Sequence, residues 1–129
     1  MSNIPIGPWT SANFTTQTDL SDKLYHLGKL SSGLIILGDS KGARVDGVIM
    51  EKVKGSTSNE LPVEIAISGI CLVEAGGNVN EGEQLICDGS GRAIADDGAN
   101  QFVVGIAQKS GVAGDYISAR LTLHPTLTA

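Results

Sequence analysis

From residue 24 onward the chain is written in short apolar runs, each cut off by a cluster of turn-forming residues. Leu24–Leu30 stops at Ser31-Ser32-Gly33, and Leu34–Leu37 stops at Gly38-Asp39-Ser40-Lys41-Gly42. Val45–Val53 follows, with Gly47 inside it, and then a polar loop over residues 54–60. Val63, Ile65 and Ile67 alternate with Glu64, Ala66 and Ser68, the period of a half-buried strand. Ile70–Val73, Gln84–Cys87, Arg92–Ala95, Phe102–Gln108 and Tyr116–Leu123 complete the set. No window long enough for a helix carries an apolar stripe of period 3.6. The pattern predicts an all-β fold, a single compact β-barrel or β-sandwich of about 8–10 short strands.

The first residues read differently. Pro5, Gly7, Pro8 and Trp9 withdraw backbone donors and fix φ, so this stretch is expected as an extended N-terminal arm. The expected organisation is an arm over residues 1–14, a β-barrel domain over 15–124 and a C-terminal tail over 125–129. Pro5, Pro8, Trp9 and Phe14 are the candidate contact residues, because an exposed tryptophan needs a docking surface. A faint echo is also visible. Val45-Asp46-Gly47-Val48-Ile49 resembles Val103-Val104-Gly105-Ile106-Ala107, as two similar β-units about a pseudo-axis would produce.

Composition narrows the function classes. The 129 residues suffice for one core, and aromatics are 4% against 17 glycines, so the core is built from Val, Ile, Leu and Ala. Residues 1–57 hold six basic and five acidic side chains, whereas 58–129 hold three and nine. An acidic second half repels phosphate backbones, so no nucleic-acid partner is expected. No stretch reaches the roughly 20 apolar residues of a membrane helix, and no signal peptide or membrane association is expected. Cys71 and Cys87 lie in apolar runs and are expected to be reduced and buried.

Candidate chemistry fails at the residue level. Ile35 to Ser40 resembles the first block of GDS-type serine esterases, with Ser40 as nucleophile. That chemistry needs a His and an orienting acid, and position 121, three before His124, is Leu. Gly33-x-x-x-x-Gly38 is followed by Asp39, not the Lys of a phosphate loop. Asp88-Gly89-Ser90-Gly91 and Asp96-Asp97-Gly98 lack the ligand series of a calcium loop and suit hairpin turns. The stretch Gly76 to Leu85 shares its Gly, Val and Glu-Gly spacing with biotinyl and lipoyl carrier domains. The hairpin at Asp88–Arg92, however, has no lysine to modify. No catalytic, metal or cofactor residue is assigned, and no cofactor and no enzyme activity are expected.

Read in order, these segments resemble the small Gly- and Val-rich capsid decoration (cement, head-stabilising) proteins of tailed bacteriophages. The resemblance rests on Leu24–Leu30, Val45–Ile49, Val63–Gly69, Val73–Val79, Glu81–Leu85, Asp88–Ala93, Val103–Ala107 and Ala113-Gly114-Asp115. It implies a β-barrel, as a homotrimer, bound to the major capsid protein of the same phage on the outer face of a mature head, which it stabilises against internal pressure. It also implies virion localisation after synthesis in the host bacterial cytoplasm. Two alternatives are a free-standing carbohydrate- or peptide-binding β-module and, more remotely, an esterase using Ser40.

Overall fold

The computed structural model describes residues 7–98 and 101–125, and every regular element among them is a strand. The strands are β1 (Trp9–Thr16), β2 (Leu27–Ser31), β3 (Leu34–Leu37), β4 (Gly47–Ile49) and β5 (Leu61–Glu74). They continue with β6 (Gln84–Cys87), β7 (Ala93–Ala95), β8 (Phe102–Ala107) and β9 (Tyr116–Pro125). All ladders are antiparallel and join into one sheet in the order β3-β2-β4-β5-β9-β8-β6-β7, with β1 added on β5. The sheet curls into a half-barrel, so the all-β expectation holds.

The segment expected as an arm is extended, but from Trp9 onward it is part of the sheet. β1 pairs with β5 from Trp9↔Gly69 to Thr16↔Leu61 and so runs through the boundary expected after residue 14. Thr16 is fully buried, and its Oγ1 donates to the Ile35 carbonyl at 2.8 Å, fastening β1 to β3. The polar run Thr10–Thr16 hides this strand from a hydrophobicity reading, because Thr and Ser suit a pleated surface without declaring a buried face.

β5 is the hub, and a bulge lets it serve two cores. Thr10 pairs with Ser68 and Ser11 with Ala66, leaving Ile67 as the extra residue. Before the bulge, Val63 and Ile65 enter a cluster with Leu20, Ile35, Ile49 and Val53. Ala66, next to the bulge, and Cys71 and Val73 beyond it enter the larger cluster with Leu27, Val48, Leu85, Val104 and Ile117. The regular alternation expected for Val63, Ile65 and Ile67 breaks at Ile67, which is exposed. At Gly69 the strand passes between Trp9 on one edge and Leu121 on the other. Its φ of 93° and the Pro8 carbonyl 2.2 Å from where a Cβ would stand both require glycine.

The faint sequence echo corresponds to a repeated architecture. The sheet order runs β3-β2-β4-β5 and then β9-β8-β6-β7, the same four-strand path read in opposite directions. Backbone hydrogen bonds recur in step. Tyr25 N donates to Ile49 O and Ile49 N to His26 O, and Gly82 N donates to Ala107 O and Ala107 N to Glu83 O. Gly38 N to Leu27 O is matched by Asp96 N to Gln84 O, and Leu20 N to Val53 O by Val79 N to Gly111 O. β1 on the first half of β5 is likewise matched by the second half of β5 on β9. Each unit has five strands, and β5 belongs to both.

Candidate interaction surface and comparison with known proteins

Of the four residues expected to make contacts, Pro5 lies outside the described residues. Pro8 is exposed, and Trp9 keeps 41% of its surface accessible. Phe14 does not join them; it is half-buried against the Leu20–Ile65 cluster and supports β1 from below. The structure supplies a partner that alternation had assigned to the core. The β5 bulge turns Ile67 outward, 37% exposed, one register step from the Thr10–Ser68 pair. Trp9 sits on paired backbone, so its position is set by the ladder rather than by a loop, and Ile67 is the unpaired residue of the bulge between Ala66 and Ser68.

A second exposed region lies where the two units meet, at the far end of β5. Glu74 pairs in register with Tyr116, and its N–H donates to the Tyr25 carbonyl. The Tyr25 and Tyr116 rings meet edge to face, with centroids 5.4 Å apart at 77°. Beside them His26 is buried, with Nδ1 3.3 Å from the Leu24 carbonyl and Nε2 3.8 Å from Glu74. The Arg92 guanidinium lies 3.7 Å from Glu74 and 3.6 Å from Asp88. Asp88 Oδ1 accepts from the N–H groups of Ser90 and Arg92, which shapes the β6–β7 hairpin. The Asp88–Gly91 segment is therefore the hairpin turn that its sequence predicts. Sequence reading missed this corner because its members come from four separate segments.

Two groups that a relay to Ser40 could use, Asp39 and His26, are engaged elsewhere. Asp39 spends its carboxylate on Lys29 at 2.8 Å, and the same hydrogen bond lowers its pKa from the ordinary aspartate value. The ring nitrogens of His26 face Leu24 and Glu74, not Ser40. Burial pushes both Cys71 and Cys87 up to about 12, so neither thiol ionises as a nucleophile would near neutral pH. Among the described residues no three His, Cys, Asp or Glu side chains gather as a metal site requires. No helix among them is long and apolar enough to cross a membrane.

No protein-family profile matches the sequence, and no curated protein matches it either. Among solved structures, the N base of the head fibre gp8.5 of bacteriophage phi29 superposes with a TM-score of 0.69 at 18% identity. The match covers 92% of this chain and 100% of that one, so the chain shares the fold of the head-fibre base along nearly its whole length.

Proposed function

We propose that this chain is a structural protein of a tailed-phage head, a non-enzymatic component that sits on the outer surface of the shell. The observation that carries the reading is the end-to-end fold match with a head-fibre base. The engagement of Asp39 and His26 away from Ser40 and the ordered motif resemblance to decoration proteins agree with it. In this reading the protein binds the major capsid protein, and repeated weak contacts around the shell add through effective concentration. Binding the mature shell in preference to its alternatives then stabilises that shell by mass action. The attachment surface is the patch of Pro8, Trp9 and Ile67, which places large apolar groups on fixed backbone.

The test is co-sedimentation of the purified protein with mature shells of the same phage. Saturation at a fixed ratio to the major capsid protein, with raised heat resistance of the shell, is the expected result. The double variant Trp9→Ser, Ile67→Ser is expected to stay folded and to stop co-sedimenting. Failure of the intact protein to bind at any salt concentration overturns the attachment reading. Undiminished binding by the double variant moves the contact elsewhere on the surface.

A further inference from the structure

We infer that the corner between the two units, built from Tyr25, Tyr116, Glu74 and Arg92, is a binding site for a neutral saccharide. The aromatic pair is the first reason. Tyr116 is 49% exposed and its ring meets that of Tyr25 at 77°, so exposed aromatic surface stands beside a second ring. Such a face suits the apolar C–H side of a pyranose, whose hydrogens complement the negative ring face.

Unspent hydrogen-bonding capacity is the second. Arg92 meets its two carboxylates only at 3.6 and 3.7 Å, and Glu74 meets His26 and Arg92 only at 3.8 and 3.7 Å. These are ion-pair separations, longer than direct hydrogen bonds, so Arg92 and Glu74, whose side chains are 33% and 18% accessible, keep hydrogen-bonding capacity for a ligand. A sugar's adjacent hydroxyls both donate and accept, and so match one guanidinium set beside one carboxylate.

The backbone supplies a third reason. Tyr25 is held at φ 65°, at the place where the second unit has Gly82 at φ 89°. Glycine adopts that conformation freely and tyrosine does not. The first unit thus departs from the shared design by placing an aromatic ring at this corner, and strain of this kind gathers at binding sites.

The corner's charge argues against other ligands. Its single guanidinium stands between Glu74 and Asp88, so a phosphate meets net repulsion. A small cation would be drawn by the carboxylates but would meet Arg92.

The inference concerns the free protein and does not depend on shell attachment. The test is a titration of the labelled full chain with maltotriose, cellotriose and chitotriose in turn, followed by amide NMR shifts, with choline chloride as the cationic control. The expected result is a saturable shift at Tyr25, His26, Glu74, Arg92 and Tyr116 with at least one trisaccharide, and none at Trp9 or Ile67. Tyr116→Ala, with a spectrum still dispersed, should weaken that binding about tenfold, as the loss of one aromatic contact face implies, while Tyr116→Phe retains it. No saturable shift with any of the three sugars overturns the inference. So does undiminished binding by Tyr116→Ala, or saturation by choline alone.

Discussion

Replacing Gly105 by alanine tests the close strand crossing on which each unit depends. A Cβ at this position would stand 2.3 Å from the Arg120 carbonyl oxygen and 3.1 Å from the Leu121 Cα, both backbone atoms of β9. Ordinary carbon–oxygen contacts begin near 3.3 Å, so the overlap is about 1 Å. Side-chain rotation cannot relieve it, because neither partner is a side chain. The β8–β9 spacing, normally about 4.8 Å, must open locally, and that stretches the ladder bonds at Gly105–Leu121 and Ile106–Arg120. Two weakened hydrogen bonds cost about 1 kcal/mol each. Overpacking adds about 1–2 kcal/mol, for a total of about 3 kcal/mol. In a domain of this size that loss lowers the thermal midpoint by about 10 °C.

Gly47→Ala should cost as much, since its Cβ would stand 2.3 Å from the Ala66 carbonyl oxygen at the matching place in the first unit. Gly89→Ala is the control. No heavy atom lies within 4 Å of that Cβ and φ is not positive, so stability should stay within about 1 kcal/mol of the parent. The assay is thermal unfolding by circular dichroism at fixed protein concentration. If Gly105→Ala and Gly47→Ala both unfold within 2–3 °C of the parent, a shift of only about 1 kcal/mol, close crossing is not why glycine stands there and the steric reasoning fails.

Three further predictions concern the core and the surface charges. Thr16→Val should lower stability by about 1–2 kcal/mol in denaturant unfolding, because it removes the buried donor to Ile35 O and the acceptor for Thr18 N at nearly constant volume. An unchanged midpoint would mean that water replaces the hydroxyl. Cys71 and Cys87, pushed up to about 12 by burial, should resist a thiol reagent at mildly alkaline pH and react only after denaturation. Rapid labelling of the folded chain would contradict their burial. Finally, hydrogen bonds from Lys29 and Lys41 hold Asp39 and Asp97 below their ordinary value of 3.8. A depressed folded-state pKa stabilises above the unfolded value and is lost as pH falls through the folded one. The thermal midpoint should therefore drop as pH falls below about 4, and it should drop less in Asp39→Asn, Asp97→Asn. Because both pairs are exposed, high salt should shrink the difference. An identical acid limb in that variant would refute the assignment.

Most of the sheet was legible along the chain, and the strands that read well show why. β3 and β6 have the bounds that alternation and turn residues predict, because glycine- and Asp-rich turns interrupt the apolar runs there. β1 was not legible: its partner face is supplied by Thr16 and Phe14 packing on strands far along the chain. Leu24–His26 reads as strand, yet Tyr25 takes a positive φ and turns the chain, a conformation that no propensity assigns to tyrosine. Ile67 reads as core, and only pairing with β1 exposes the bulge that turns it outward.

The repeat shows the same division. Only the Gly47 and Gly105 segments echo each other in sequence, because both glycines meet a neighbouring backbone that no larger residue can approach. The buried positions around them have drifted: Leu20, Ile35 and Ile49 in the first unit stand where Val79, Ala93 and Ala107 stand in the second. A core constrains total volume more tightly than the residue at any one place, so packing can be redistributed while the ladder persists. The sequence by itself determined an all-β chain, its turns and its small-residue core, since these depend on local period and residue chemistry. Tertiary structure alone decided how the two units share β5, the outward turn of Ile67 and the Tyr25–Tyr116 corner, because each arises from pairing between segments distant in the chain.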